Sequence, residues 1–271
     1  MRASLAGRVV VLTGASGGIG AAIARRLAAA GARLVLVGRT PVTLQGVLDS
    51  LPARSGGGHE LVVADLAEPA GRNVIAATIE ATGARIDALV NAAGVSRFGW
   101  LADTPAVQLE AQFATNVVGP MLLTQRLLPR MAAQGRIVNI GSSFGGIGYP
   151  GFSAYCASKF ALRGFTEALR RELADTGLQV ACLAPRATRT ALNSPAVCAM
   201  NDALGNATDP PERVAEALER MLLARRMRDR AIGWPERLFL RLNAVFPSLV
   251  DGALRKQLPA IKRFAAPSAS S

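Results

Sequence analysis

Two hydrophobic rhythms alternate along the chain. Short runs that are apolar at nearly every position fall at Arg8–Leu12, Arg33–Val37, Glu60–Ala64, Ala88–Asn91, Arg136–Ile140 and Gln179–Leu183. Between them, Ala, Leu and Val recur every three or four residues, which predicts helices near Ile19–Ala30, Val42–Leu51, Gly71–Thr82, Val107–Ala133 and Ala154–Thr176. A half-exposed strand would alternate apolar and polar residues, whereas continuous apolar runs suit a parallel sheet covered on both faces. Repeated β–α units with right-handed crossovers therefore predict an α/β fold, a doubly wound parallel sheet. No repeat or linker interrupts residues 1–233, which read as a single domain. Residues 234–271 read as a C-terminal helical extension, frayed from Pro267 onward.

Composition narrows the class further. Half of the 271 residues are apolar and 18% are charged, which excludes disordered and fibrous chains and supplies a full core. Three cysteines, Cys156, Cys182 and Cys198, form no CxxC pair and leave an odd count. That argues against a disulfide framework and for a reducing, cytoplasmic setting. The single histidine, His59, cannot build a multi-histidine zinc site, so no metal is expected. Its glycine-rich neighbourhood also makes it a poor hydrolase base, and it reads as a solvated loop residue. No segment resembles a signal peptide or a membrane span.

The glycines carry the first chemistry. The run Arg8–Leu12 leads directly into Thr13-Gly14-Ala15-Ser16-Gly17-Gly18-Ile19-Gly20 and then an alanine-rich helix. In that strand–turn–helix setting Gly14 permits a tight turn and Gly18 lets backbone approach a pyrophosphate. Gly20 allows close helix–strand packing, and the helix N-terminus attracts phosphate. After the second strand the chain reads Val37-Gly38-Arg39-Thr40, with no carboxylate for a ribose 2′-hydroxyl. The Arg39 guanidinium suits a 2′-phosphate, so NADP(H) is expected over NAD(H). Asp65, in Val63-Ala64-Asp65-Leu66, is placed either to meet an adenine edge or to cap a helix.

Tyr155 and Lys159, four residues apart, share one face of a predicted helix, and Ser142 lies thirteen residues upstream of the tyrosine. An ammonium beside a phenol favours the phenolate, which is the expected route to an acid–base tyrosine. Lys159 is one of only three lysines in the chain. Ser142 can orient a reacting oxygen.

With these residues together, the chain closely resembles the short-chain dehydrogenase/reductase family over roughly residues 5–233. Its glycine turn matches the family's TGxxxGxG loop, and Asn91-Ala92-Ala93-Gly94 matches the NNAG segment with Ala92 replacing the second asparagine. The resemblance implies a Rossmann-like fold and a homodimer through the helices bearing Asn116 and Tyr155. It implies that Tyr155 transfers a proton, that Ser142 positions the carbonyl, and that Lys159 binds the nicotinamide ribose. It gives Asn116 a water in the proton relay. The implied cofactor contacts include Thr13, Gly14, Ser16, Gly18, Ile19, Gly20, Arg39, Thr40, Asp65, Leu66 and Asn91 to Gly94. Tyr155, Lys159, Pro185, Thr188 and Thr190 complete that set.

One departure stands out. The family usually reads Pro-Gly after the sixth strand, where this chain has Pro185-Arg186. Arg186 lacks glycine's freedom at positive φ, so the loop must take another path or bear strain. Arg186 and Arg189 either bind a phosphate or an acidic substrate group, or are solvated loop charges.

Residues 186–209 form the expected substrate loop. Its Ala191, Leu192, Pro195, Val197, Ala199, Met200 and Leu204, with Phe144, Ile147, Tyr149 and Phe152, suit an apolar carbonyl or alcohol. A fatty-acyl or other lipid-like ketone, a 3-oxoacyl thioester and a bulky ring ketone remain alternatives. A non-catalytic NADP(H) sensor is the rival function.

Net charge is +12, and residues 220–271 hold +8 of it. There Leu238, Leu242 and Val245, then Val250, Leu254, Leu258 and Ile261, recur at helical spacing among cations. This extension either packs on protein, covering the substrate mouth or another subunit, or makes peripheral contact with an anionic membrane. No groove-reading motif accompanies the charge, so nucleic acid is not an expected partner.

Overall fold

The computed structural model describes residues 4–53 and 58–265. The expected frayed tail from Pro267 lies outside the described residues. In chain order the first half runs β1 (Val9–Thr13), α1 (Gly18–Ala29), β2 (Arg33–Gly38), α2 (Pro41–Asp49), β3 (Glu60–Val63), α3 (Pro69–Ala81) and β4 (Ile86–Asn91). The second half continues with α4 (Ala106–Phe113), α5 (Gly119–Leu127), β5 (Met131–Ile140), α6 (Ser153–Glu172), β6 (Gln179–Ala184), α7 (Pro195–Ala203) and α8 (Pro211–Leu223). β7 (Arg230–Ala231), α9 (Glu236–Val245) and α10 (Pro247–Ala265) end it.

Among the described residues the seven strands form one parallel sheet in the order β3-β2-β1-β4-β5-β6-β7. Alternate side chains of each strand feed opposite layers. Val10, Leu12, Leu34 and Leu36 pack with Leu27 of α1 and Leu218 of α8 on one face. Val11, Val35 and Val37 pack with Ile75 of α3 and Leu123 of α5 on the other. The two-sided core explains the unbroken apolar runs. Strand order reverses between β1 and β4, where Thr13 pairs with Asn91, and crevices that bind ligands form beyond the carboxyl ends at such a point.

The structure changes several sequence expectations and decides between two alternatives at one loop. The single helix Val107–Ala133 is two helices, α4 and α5, joined by a π-helical turn over Ala114–Val118 that contains Asn116. Pro129 closes α5 in a short 3-10 turn, so Met131 to Ala133 open β5 instead. Helix α8 was not expected at all. Its Val214, Leu218 and Met221 cover the sheet, and Arg136 caps it by donating to the carbonyls of Met221 at 2.9 Å and Ala224 at 2.7 Å. His59 is half-buried rather than solvated, its Nδ1 accepting from the Leu34 N–H at 3.2 Å. Finally, no described non-glycine residue has positive φ, so the Pro185-Arg186 loop takes another path without strain.

Candidate active site

The glycine turn shows why its residue types are needed. Gly14 has φ +66°, and a Cβ there would fall 2.7 Å from the Ala93 backbone. A Cβ on Gly20 would stand 2.0 Å from the Gly14 carbonyl oxygen. Both positions are closed to any side chain. Gly18 also allows a close approach, but the group that approaches is Thr190, whose Cγ2 would lie 2.6 Å from an added Cβ. No side chain caps the first turn of α1 at Gly17, which leaves the positive end of that helix to the crevice.

A cavity of about 650 Å³ opens beyond the sheet. Of the expected catalytic residues, Ser142, Tyr155 and Lys159 line it. Asn116 sits behind them: its Oδ1 accepts from the Val95 N–H at 2.8 Å, and its Nδ2 donates to the Val95 carbonyl at 2.9 Å and to Ser158 Oγ at 3.0 Å. The buried amide thus clamps the chain after β4 against α6. A Cβ on Gly94 would lie 3.4 Å from Asn116 Oδ1 and 3.5 Å from Lys159 Nζ, so the two groups meet at that glycine.

Among the expected cofactor contacts, Gly14, Gly18, Ile19, Gly20, Arg39, Ala92, Gly94, Pro185, Thr188 and Thr190 also line the cavity. The others do not line it. Thr13 is buried, its hydroxyl accepting from the Ala92 and Ala93 N–H groups at 3.1 and 3.2 Å, which ties β1 to the end of β4. Ser16 abuts Gly38, Thr40 precedes α2, and Leu66 packs under Gly119. Asp65 accepts from the Ala67 N–H at 2.9 Å in the turn before α3, whose cap position is Glu68, so it does not cap that helix; its other oxygen is 3.9 Å from Arg39. Asn91 donates to Asn139 at 2.9 Å and to Thr124 at 3.2 Å, and Asn139 donates to Thr166 at 2.8 Å. This buried polar thread across α5, β4, β5 and α6 fixes the sheet edge under the site, and Thr124, Asn139 and Thr166 were not legible as part of it.

In the chain itself the electrostatics run opposite to the expected lowering of the phenol. Burial pushes the Tyr155 phenol up to about 12, opposed by its hydrogen bond with Ser142 and reinforced by the Cys156 thiol. Burial also brings the Lys159 ammonium down to about 8, opposed by Cys182. In the chain itself desolvation outweighs the attraction between cation and phenolate, so Tyr155 is held neutral rather than anionic. Lys159 Nζ lies 5.7 Å from the Tyr155 ring centroid and donates to the Ile140 carbonyl at 3.1 Å. The neutral phenol is a proton donor.

Arg186 is neither a ligand for an acidic group nor a solvated charge. It donates to both oxygens of buried Asp209, at 3.0 and 2.8 Å, and to Glu236 at 3.3 Å. Asp209 also accepts from Arg213 at 2.7 Å, which with Arg186 keeps its carboxyl below the usual range despite burial. The network ties the end of the α7 loop to the start of α9. Arg189 is exposed.

The extension supplies a wall of the cavity, as expected if it packs on protein over the substrate mouth. Leu242 of α9, with Val250, Leu254 and Gln257 of α10, lines the cavity, and Gln257 accepts from the Tyr149 hydroxyl at 3.3 Å. Ile261 is fully buried in a cluster with Phe152, Tyr155 and Met200. The signal was the helical stripe itself, whose partner the sequence could not show.

A glycine turn at the strand-order reversal, opening onto a tyrosine–lysine–serine cavity, defines a Rossmann-type nucleotide-dependent oxidoreductase. The chain belongs to the short-chain dehydrogenase family, whose sequence model matches residues 8–200. It is 39% identical over 203 residues to dehydrogenase/reductase SDR family member 7B of Danio rerio, a match covering 72% of this chain and 66% of that one. It is 34% identical over 260 residues to the oxidoreductase YxnA of Bacillus subtilis, covering 92% of this chain and 72% of that protein. A short-chain dehydrogenase from Burkholderia cenocepacia, solved in complex with NADP, superposes with TM-score 0.75 at 29% identity, over 86% of this chain and 99% of that one. One from Streptomyces avermitilis gives TM-score 0.79 at 31% identity, over 91% and 96%. No described helix is long and apolar enough to cross a membrane.

Proposed function

We propose that the protein is an NADP(H)-dependent carbonyl reductase or alcohol dehydrogenase acting on an apolar, lipid-like ketone or alcohol. The observation that carries this reading is one cavity lined by Ser142, Tyr155, Lys159, the glycine turn and Arg39 together. The tight glycine turn and the uncapped N-terminus of α1 suit a pyrophosphate once Thr190 moves from Gly18, and Arg39 at the mouth suits a 2′-phosphate. Arg39 is 60% exposed and its ion pair with Asp65 is long, so exchanging it for a phosphate costs little. The NADP in the Burkholderia relative supports the same assignment.

When bound, the nicotinamide supplies or accepts the hydride. The chain provides the rest. Ser142 holds the substrate oxygen beside Tyr155, and the neutral phenol gives its proton to that oxygen as negative charge develops there. Lys159, deeply buried near the ring, favours the phenolate that remains. Phe144, Tyr149, Phe152, Leu242 and Leu254 exclude water and select an apolar substrate. We further read the exposed Val118, Met121 and Leu122 near α5 and Phe160 of α6 as the apolar face of a homodimer.

Replacing Tyr155 with Phe is expected to lower reduction of apolar ketones by at least about a thousandfold while NADPH binding, read by fluorescence, persists. Turnover unchanged in that variant would overturn the reading.

A further inference from the structure

Helix α9 has one side on the cavity and one side in solvent. Its Leu238 and Val245, seven residues apart and so on one face, are exposed, with Val245 at 66%. The corner into α10 continues the surface through exposed Phe246 and Leu249, and Trp234 stands at its start at 71% exposure. Soluble proteins rarely expose so many large apolar groups within one short segment. Arg237 and Arg241 flank this face on one side of α9 and are both exposed. On the other side lies Phe239, which is 43% exposed and at the same time lines the cavity. Leu249 shares that double position. The apolar face and the cavity mouth are therefore one continuous surface.

We infer that this face docks on an anionic lipid bilayer and that docking sets the cavity mouth against the lipid. Charge decides the occupant. From residue 237 onward the chain carries six cations and a single acid, Asp251. Arg237 and Arg241 lie where headgroup phosphates would meet them as Leu238, Val245 and Phe246 sink into the acyl boundary, and tryptophan favours that interface. A twofold contact with a second copy would set arginines of the two faces close together, with only one acid per chain to offset them. That the bilayer also delivers substrate rests on the lipid-like ketone reading above; docking itself does not.

The test is flotation of the full chain with vesicles of phosphatidylcholine alone or mixed with phosphatidylglycerol. The full chain is expected to float with the mixed vesicles and stay at the bottom with the neutral ones. Arg237→Gln combined with Arg241→Gln should weaken binding to the mixed vesicles by about 25-fold, at about fivefold per cation. Leu238→Glu combined with Val245→Glu should abolish it, with thermal unfolding by circular dichroism unchanged. Should the glutamate variant fail to fold, the glutamine pair at exposed positions still decides. Absent flotation, equal flotation of all variants, or a patch substitution that alters sedimentation but not vesicle binding would overturn the inference. The last outcome would assign the face to a second copy. Turnover of a soluble ketone, measured separately, reads the chemistry and not the docking.

Discussion

Lys159 shows how a single side chain trades stability for reactivity. Its amine takes a value of about 8 folded against 10.5 in the free side chain, so between these limits the unfolded chain holds more protons. Stability therefore rises with pH across that window, and the cost of the buried cation is fully present below it. The shift corresponds to about 3 kcal/mol at most. Lys159→Met is expected to melt at higher temperature than the native chain at pH 7, with the gap closing toward pH 10, and to lose turnover. Equal melting at pH 7 would mean that the site compensates the charge. Above pH 10.0 the trend reverses, because Tyr155, held at about 12 in the folded chain, ionises first in the unfolded one. Arg39 acts on binding instead: Arg39→Ala is expected to weaken NADPH about ten- to a hundredfold, the worth of one or two charge-assisted bonds, and to leave NADH unchanged. Titrating both nucleotides against each form checks the ratio.

At the scale of elements, Arg186 ties together parts that are remote in sequence. Its side chain is 10% exposed and that of Asp209 is 3% exposed, so the pair is nearly dry. Arg186→Ala leaves Asp209 with Arg213 alone and frees Glu236, an expected cost of about 3 kcal/mol. Because the network joins the α7 loop to α9, the same variant should become sensitive to proteolysis within residues 186–209. Melting curves and limited digestion read the two effects, and a resistant loop would show that the network does not hold it. The sequence could not reveal this role, since the partners of Arg186 stand 23 and 50 residues away. By contrast, the strands and the glycine turn were legible because their signals are local: two-sided burial imposes apolar runs, and a tight βα turn imposes glycine. Helix α8 had a readable stripe at Val214, Leu218 and Met221 that went unused after the Pro210-Pro211 break. The π-helical turn at Asn116 had no local signal at all, because it is set by the amide's bonds to Val95 on a different element.

Across the whole molecule, Ser142, Tyr155 and Lys159 converge on one cavity with Asn116 behind them, but the chamber around them is a tertiary product. The extension, the α7 loop and the segment from Phe144 to Phe152 contribute separate walls, and none of them announces the others along the chain. One contact links these parts to time rather than shape. Thr190 rests on Gly18, so on the proposed reading a dinucleotide reaching the first turn of α1 would displace the threonine. The loop carrying Thr190 also lines the proposed place for the second reactant. We therefore expect arrival to be queued: nucleotide in first, nucleotide out last. Steady-state product inhibition should be competitive between the two nucleotide forms alone, and a random-order pattern would show that the threonine yields without waiting its turn.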